Sequence, residues 1–265
     1  MAFGYHHAVQ KIVLALHGTR LAFYSAQITQ QGEYIMKRNQ SGFTLIEIAI
    51  VLVIIGLLLG GVLKGQELIN SAKVKNLATD FRNIPVFIYG YQDKFRALPG
   101  DDINAASHVA GATTATTPNG KQGNGVIDGA WDSTTYATDE TQLFWQHVRL
   151  AGLATGTTTV GTDLLPTNSV GGVIGITNGG VNNPDVVTYT APAIKLTGTY
   201  IICSAGILGK FAKQLDIQMD DGNPTGGSMR AYNNSGTRPS ILSAPTPLVN
   251  GALDDATPYT VCMGV

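Results

Sequence analysis

Cysteine is nearly missing from this 265-residue chain, which has only Cys203 and Cys262. Cys-x-x-Cys, His-Glu-x-x-His and Gly-x-Ser-x-Gly do not occur beyond residue 42, so the common thiol-redox, zinc and hydrolase signatures are absent there. Charge is scarce as well. Asp, Glu, Lys and Arg make up 13% of residues, 17 basic against 18 acidic, and no basic footprint for nucleic acid results. Histidine beyond residue 42 is reduced to His108 and His147. His147 shares an apolar helix face, where a core histidine is expected rather than a metal ligand. An extracytoplasmic enzyme tethered to a membrane is the reading of a different class, and the chain offers it no evident nucleophile and base. No internal repeat is present.

What the chain does have is one long apolar run, Phe43 to Leu63, 21 residues carrying a single charge, Glu47. At ~1.5 Å of rise per residue such a helix covers about 31 Å, roughly one hydrocarbon core. A lone carboxylate there costs on the order of 2.5 to 3.5 kcal/mol on the lenient insertion scale, so Glu47 needs either a partner or a position shallow enough to reach the headgroups. Lys37 and Arg38 precede the run, and the positive-inside rule sends everything after Leu63 across the membrane. A cleavable secretory signal has its small-residue exit after the apolar region. Here Ser41-Gly42 comes before it and no Ala-x-Ala-like exit follows, so the helix is expected to stay.

Lys37-Arg38-Asn39-Gln40-Ser41-Gly42 followed by Phe43-Thr44-Leu45-Ile46-Glu47 resembles the amino terminus of type IV prepilins and type II secretion pseudopilins. The resemblance implies that a membrane-bound prepilin peptidase cuts between Gly42 and Phe43 on the cytoplasmic side and methylates the new terminal amine of Phe43. It also implies a partner for Glu47, because the family's glutamate at this position pairs with the terminal amine of a neighbouring subunit during filament assembly. An ion pair buried in a helix bundle is costly to break, about 3 to 5 kcal/mol when one partner is removed, and so it fixes register. The competing readings are an ordinary loop glycine at Gly42 and a Glu47 that snorkels to the headgroups.

Residues 1–42 are read as leader. Family leaders are short and basic, so Met36 is the better start, giving a seven-residue leader from Met36 to Gly42. Four of the 17 basic and one of the 18 acidic residues fall in the leader, so the mature chain carries a net charge of −4. Its 223 residues, about 50 of them in an extended helix, suit one head domain.

After the membrane half, 43–64, a helical rhythm continues over 65–98, with Leu68, Ala72, Lys75, Leu77, Phe81 and Ile84 near one face. Pro85 is expected to kink or open this spine, and Pro99-Gly100 to stop it. Gly56, Gly60, Gly61 and Gly65 weaken the same element and allow close packing or local melting. The family often has a proline where Lys64 stands, which leaves open where the spine would melt.

Residues 99–265 are rich in Gly, Thr, Asn and Ser, with β-prone runs at Val186–Tyr189, Thr199–Cys203 and Tyr259–Cys262. These predict a small antiparallel sheet with long loops. Two helices interrupt it: Asp139–Gly152, and Ser204–Asp216 with Ser204 as its cap and Ile207, Leu208, Phe211 and Leu215 inward. The topology places Cys203 and Cys262 in an oxidising compartment, where a disulfide is the default; pilins often close a carboxyl-terminal loop this way. Residues Asn119–Asp132 echo part of a calcium loop, with Asn124, Asp128 and Asp132 as oxygen donors, but Gly120 and Trp131 fall where the first and closing ligands belong. A solvated glycine turn is the alternative. Phe81, Phe87, Tyr89, Tyr91 and Phe95 fit either packing of spine against head or an aromatic chain along a filament.

The expectation is an α+β, type IV pilin-like fold, a helical spine on a small antiparallel head with a carboxyl-terminal disulfide loop. The resemblance implies a non-enzymatic subunit of a type IV pilus or, alternatively, a type II secretion pseudopilin. Its partners would be other pilins, the prepilin peptidase and an inner-membrane assembly platform. The precursor would sit in the inner membrane with its head in the periplasm, before reaching a pilus or the cell surface. No cofactor is implied apart from the calcium alternative.

Overall fold

A computed structural model of the chain describes residues 43–117, 119–179, 196–224, 226–233 and 253–265. Gly42 and the run Val186–Tyr189 lie outside the described residues. Two compact units divide between Leu57 and Leu58. Helix α1, Leu45–Phe95, is assigned without a break through both Gly60-Gly61 and Pro85. In its first part Leu45 to Leu63 is solvent-exposed, and this is a helix long and apolar enough to cross a membrane.

In the second unit α1 buries Val74, Leu77, Ala78, Phe81, Ile84, Ile88 and Tyr91. These positions recur three and four apart, one stripe of a 3.6-residue helix. The stripe starts later than the sequence pattern predicts: Leu68 is 63% exposed, Ala72 and Lys75 are exposed, and Val74 enters the core instead. Pro85 does not open the helix. Its missing N–H removes one bond to the turn before, but Phe81, Ile84 and Ile88 around it are anchored in the core. The helix stops at Phe95, ahead of Pro99-Gly100, because Arg96 takes a left-handed φ of 56° while its N–H closes on the Gln92 carbonyl at 2.8 Å.

A short helix α2, Ala105–His108, leads to α3, Glu140–Leu150, whose residues 140 to 149 are all buried. Arg149 of α3 donates to the carbonyls of Thr155, Thr157 and Leu164, which binds the following loop to the helix. The sheet comprises β1, Ile174–Asn178, β2, Tyr200–Leu208, β3, Met229–Asn233, and β4, Pro258–Gly264, antiparallel in the order β1-β2-β4-β3. Gly175 of β1 is a point of close approach: a Cβ there would sit 1.9 Å from the Trp131 carbonyl oxygen.

Between β2 and β3 runs α4, Gly209–Met219. The predicted start of this helix at Ser204 is wrong. Ser204 lies inside β2, opposite Ile174 on one side and Val261 on the other, and its hydroxyl accepts from the Asn168 amide at 2.8 Å. Ile207 and Leu208 are likewise strand residues, while Phe211 and Leu215 are buried on α4. A helix beginning at Ser204 would forfeit two ladders. A bulge between Ser204 and Ile207, with Gly206 at φ +72°, lets the strand continue to Leu208.

Cys203 and Cys262 are directly opposed in the β2–β4 register and joined by a disulfide. They lie among Trp131, Leu196, Ile201, Ala205 and Tyr232, a small apolar cluster separate from the main core. A long helix packed by its second part on a four-stranded antiparallel sheet with a carboxyl-terminal disulfide is a pilin-like α+β fold.

Candidate processing and assembly site

Phe43 is the first described residue and is 82% exposed. Directly behind it Thr44 and Glu47 form a reciprocal cap on α1. Thr44 donates its N–H and its hydroxyl to Glu47 Oε2, both at 2.8 Å, and the Glu47 N–H donates to Thr44 Oγ1 at 3.3 Å. This is the Thr-x-x-Glu capping box, in which two otherwise unsatisfied amides at a helix start are satisfied at once. Its signal was present in the sequence as Thr44-Leu-Ile-Glu47, three residues apart, but was masked by the rarity of an acid in an apolar run. The Glu47 carboxylate is thereby held at the start of the helix, against Thr44, the residue that follows Phe43.

The loop that echoes a calcium site is organised round a carboxylate from outside it. Its amides gather round an anion, with Gly123, Asn124 and Gly125 all donating their N–H to the Asp101 carboxylate. Asn124 and Asp128 do meet, but as donor and acceptor: Asn124 Nδ2 donates to Asp128 Oδ2 at 2.8 Å. Lys121 Nζ at 3.3 Å and Asn178 Nδ2 at 3.2 Å occupy Asp128 Oδ1. Asp132 is buried near the loop's end. Asp101 was not singled out from sequence, since nothing local reveals that it organises residues 22 to 24 positions away.

Glu140 is fully buried and accepts the Asp128 N–H at 2.7 Å through Oε2, while Oε1 has no partner among the described residues. Burial pushes its pKa up to about 8; the Asp128 amide opposes that, and the charges of Asp101, Asp128 and Asp139 add to it. His147 accepts the Gly100 N–H on Nδ1 at 2.9 Å and donates from Nε2 to the Thr113 carbonyl at 2.8 Å. Burial lowers its pKa, and it serves as a neutral core residue.

The aromatic residues of α1 do not share one surface. Phe81 and Tyr91 are buried, Tyr89 is 63% exposed, and Tyr91 and Phe95 pack together with ring centres 4.6 Å apart. Tyr91 donates to Asp102 at 2.8 Å, and His108 Nδ1 lies 2.7 Å from the same carboxylate oxygen. The open cleft beside this pair has no serine, threonine or cysteine in its lining, and both cysteines are committed to the disulfide. No catalytic cluster is evident among the described residues.

Residues 37–63 match the family model of the prokaryotic N-terminal methylation motif. No curated protein and no solved structure matches the chain. The motif covers the Gly42–Phe43 junction and the apolar start of α1, and together with the pilin-like fold it supports a type IV pilin or pseudopilin family member. Motif and apolar helix together support membrane association and an inner-membrane precursor stage.

Proposed function

We propose that this chain is a structural subunit of a type IV pilus or pilus-like filament, cut between Gly42 and Phe43, methylated on Phe43 and polymerised from the inner membrane. The observation that carries the reading is the methylation motif running without interruption into an apolar helix whose first turn contains Glu47. The soluble half of the spine, 65–98, and the head, 99–265, would then be periplasmic, and the spine would pack against other pilins. The second reading is a type II secretion pseudopilin, which would use the same motif, fold and processing for a short periplasmic fibre. Neither role needs catalysis.

The capping box adds a mechanical detail. In the free subunit Glu47 accepts the Thr44 N–H and hydroxyl at the start of its own helix. On polymerisation the same carboxylate is placed to meet the Phe43 ammonium of a neighbour in low dielectric, where an unpaired charge is unfavourable. Glu47→Ala should spare insertion and cleavage but block filaments. Thr44→Val removes the hydroxyl of the cap yet keeps the charge, and should assemble. Each variant is expressed without the native subunit, the processed band confirmed, and filaments counted by electron microscopy. Wild-type filament numbers with Ala at 47 would refute an assembly role, and equal loss in both variants would reduce Glu47 to a helix cap.

A further inference from the structure

Helix α4 ends in a cluster of carboxylates. Asp216 stands in its last turn and Asp220 and Asp221 follow directly, with no basic residue in that turn. The carbonyl end of a helix already carries partial negative charge and favours cations. Here it carries three carboxylates instead.

Asp216 is 1% exposed and neither of its oxygens has a partner within hydrogen-bond geometry among the described residues; the Gly222 backbone amide is the one group there that favours its charge. One carboxylate oxygen from each of Asp216, Asp220 and Asp221 lies within 4.8 Å of the others. The side chains of the outer two are oriented by the backbone. Asp220 Oδ2 accepts the Met229 N–H and Asp221 Oδ1 accepts the Asn223 N–H, each at 2.8 Å. As an anion, a buried acid this poorly satisfied and set beside two more acids is unfavourable unless a cation joins them.

We propose that Asp216, Asp220 and Asp221 form a calcium site. All three donors are hard carboxylate oxygens, which select a group 2 cation over softer metals. Two of the three lie beyond the helix on an irregular turn, and calcium accepts irregular cages of six to eight oxygens completed by carbonyls and water, whereas magnesium demands a near-ideal octahedron. The ion would neutralise the end of α4 and tie it to the start of β3, because Asp220 also holds the Met229 amide. None of the residues of the Asn119–Asp132 loop takes part, and the site does not depend on the filament reading.

The test uses the full chain in detergent, stripped with EGTA and dialysed against radioactive calcium, with melting temperature followed in parallel. One calcium per chain and a higher melting temperature with calcium are expected. Asp221→Asn, at an exposed side chain, should weaken affinity by about tenfold or more through loss of ligand charge. Asp216→Asn should abolish binding; should it fail to fold, Asp221→Asn decides alone. Absence of saturable calcium binding in the unaltered chain, unchanged affinity in Asp221→Asn, or equal affinity for magnesium would each overturn the assignment. So would binding that is lost in Asp128→Asn and kept in Asp221→Asn, which would move the ion to the other loop.

Discussion

Reduction of the Cys203–Cys262 bond should cost this protein much of its stability and leave the fold in place. The two residues are 59 apart in sequence, and cross-linking a loop of that length removes about 4 kcal/mol of chain entropy from the unfolded state in the chain-entropy model. The native state loses little in return. β2 and β4 remain paired along their ladder, each with a further strand on its outer side, and the thiols stay packed among Trp131, Ile201 and Tyr232. For a chain of this size about 4 kcal/mol corresponds to a fall of roughly 8 to 16 °C in melting temperature. Substitution should cost more than reduction. Ala at both positions adds small cavities, and Ser adds buried hydroxyls at about 1 to 3 kcal/mol for each left unpaired. The assay is urea unfolding of oxidised, reduced, double-Ala and double-Ser chains in detergent, followed by tryptophan fluorescence. The expected order of stability is oxidised, reduced, Ala, Ser. Two titratable thiols in the oxidised sample, or a loss on reduction below about 1 kcal/mol, would refute the reasoning.

Gly42→Val should leave unprocessed precursor in the membrane, because a β-branched side chain beside the scissile bond removes the small size and backbone freedom that a glycine supplies; a gel showing normal mature size would argue against cleavage after Gly42. Gly175→Ala should lower stability by about 1 to 3 kcal/mol, the usual range for overpacking, since its methyl would meet the Trp131 carbonyl at 1.9 Å; an unchanged melting temperature would contradict the close approach of β1 to Trp131. Glu140 makes stability fall as pH rises from about 4.5 towards about 8, because over that window the folded chain keeps a proton that the unfolded chain has released. Glu140→Gln should flatten the melting-temperature profile across that range, and superimposable profiles would show that Glu140 ionises normally in the fold.

Much of what matters at the amino end of this chain is written in order along the sequence. The span from Phe43 to Leu63, the dibasic flank, the glycine before the apolar run and the acid inside it depend only on neighbours within a turn or two, as does the helical stripe from Leu77 to Ile84. The capping box is equally local, but the rarity of an acid in an apolar run hid the Thr44–Glu47 pattern. The two cysteines, the antiparallel sheet and the helix over Glu140–Leu150 also followed from composition and period.

The head's details were decided elsewhere. Ser204 has the chemistry of a helix cap, yet it is a strand residue because Ile174 and Val261 offer its backbone a ladder on both sides, and no local rule knows they are there. Asn124 and Asp128 meet as donor and acceptor in a loop whose amides turn to Asp101, more than 20 residues away. Asp216 is in sequence only the last residue of a predicted helix; packing closes over it and sets Asp220 and Asp221 beside it. In each case one residue type satisfies two local patterns equally well. The choice between them falls to long-range backbone pairing and burial, which exist only once distant segments have met.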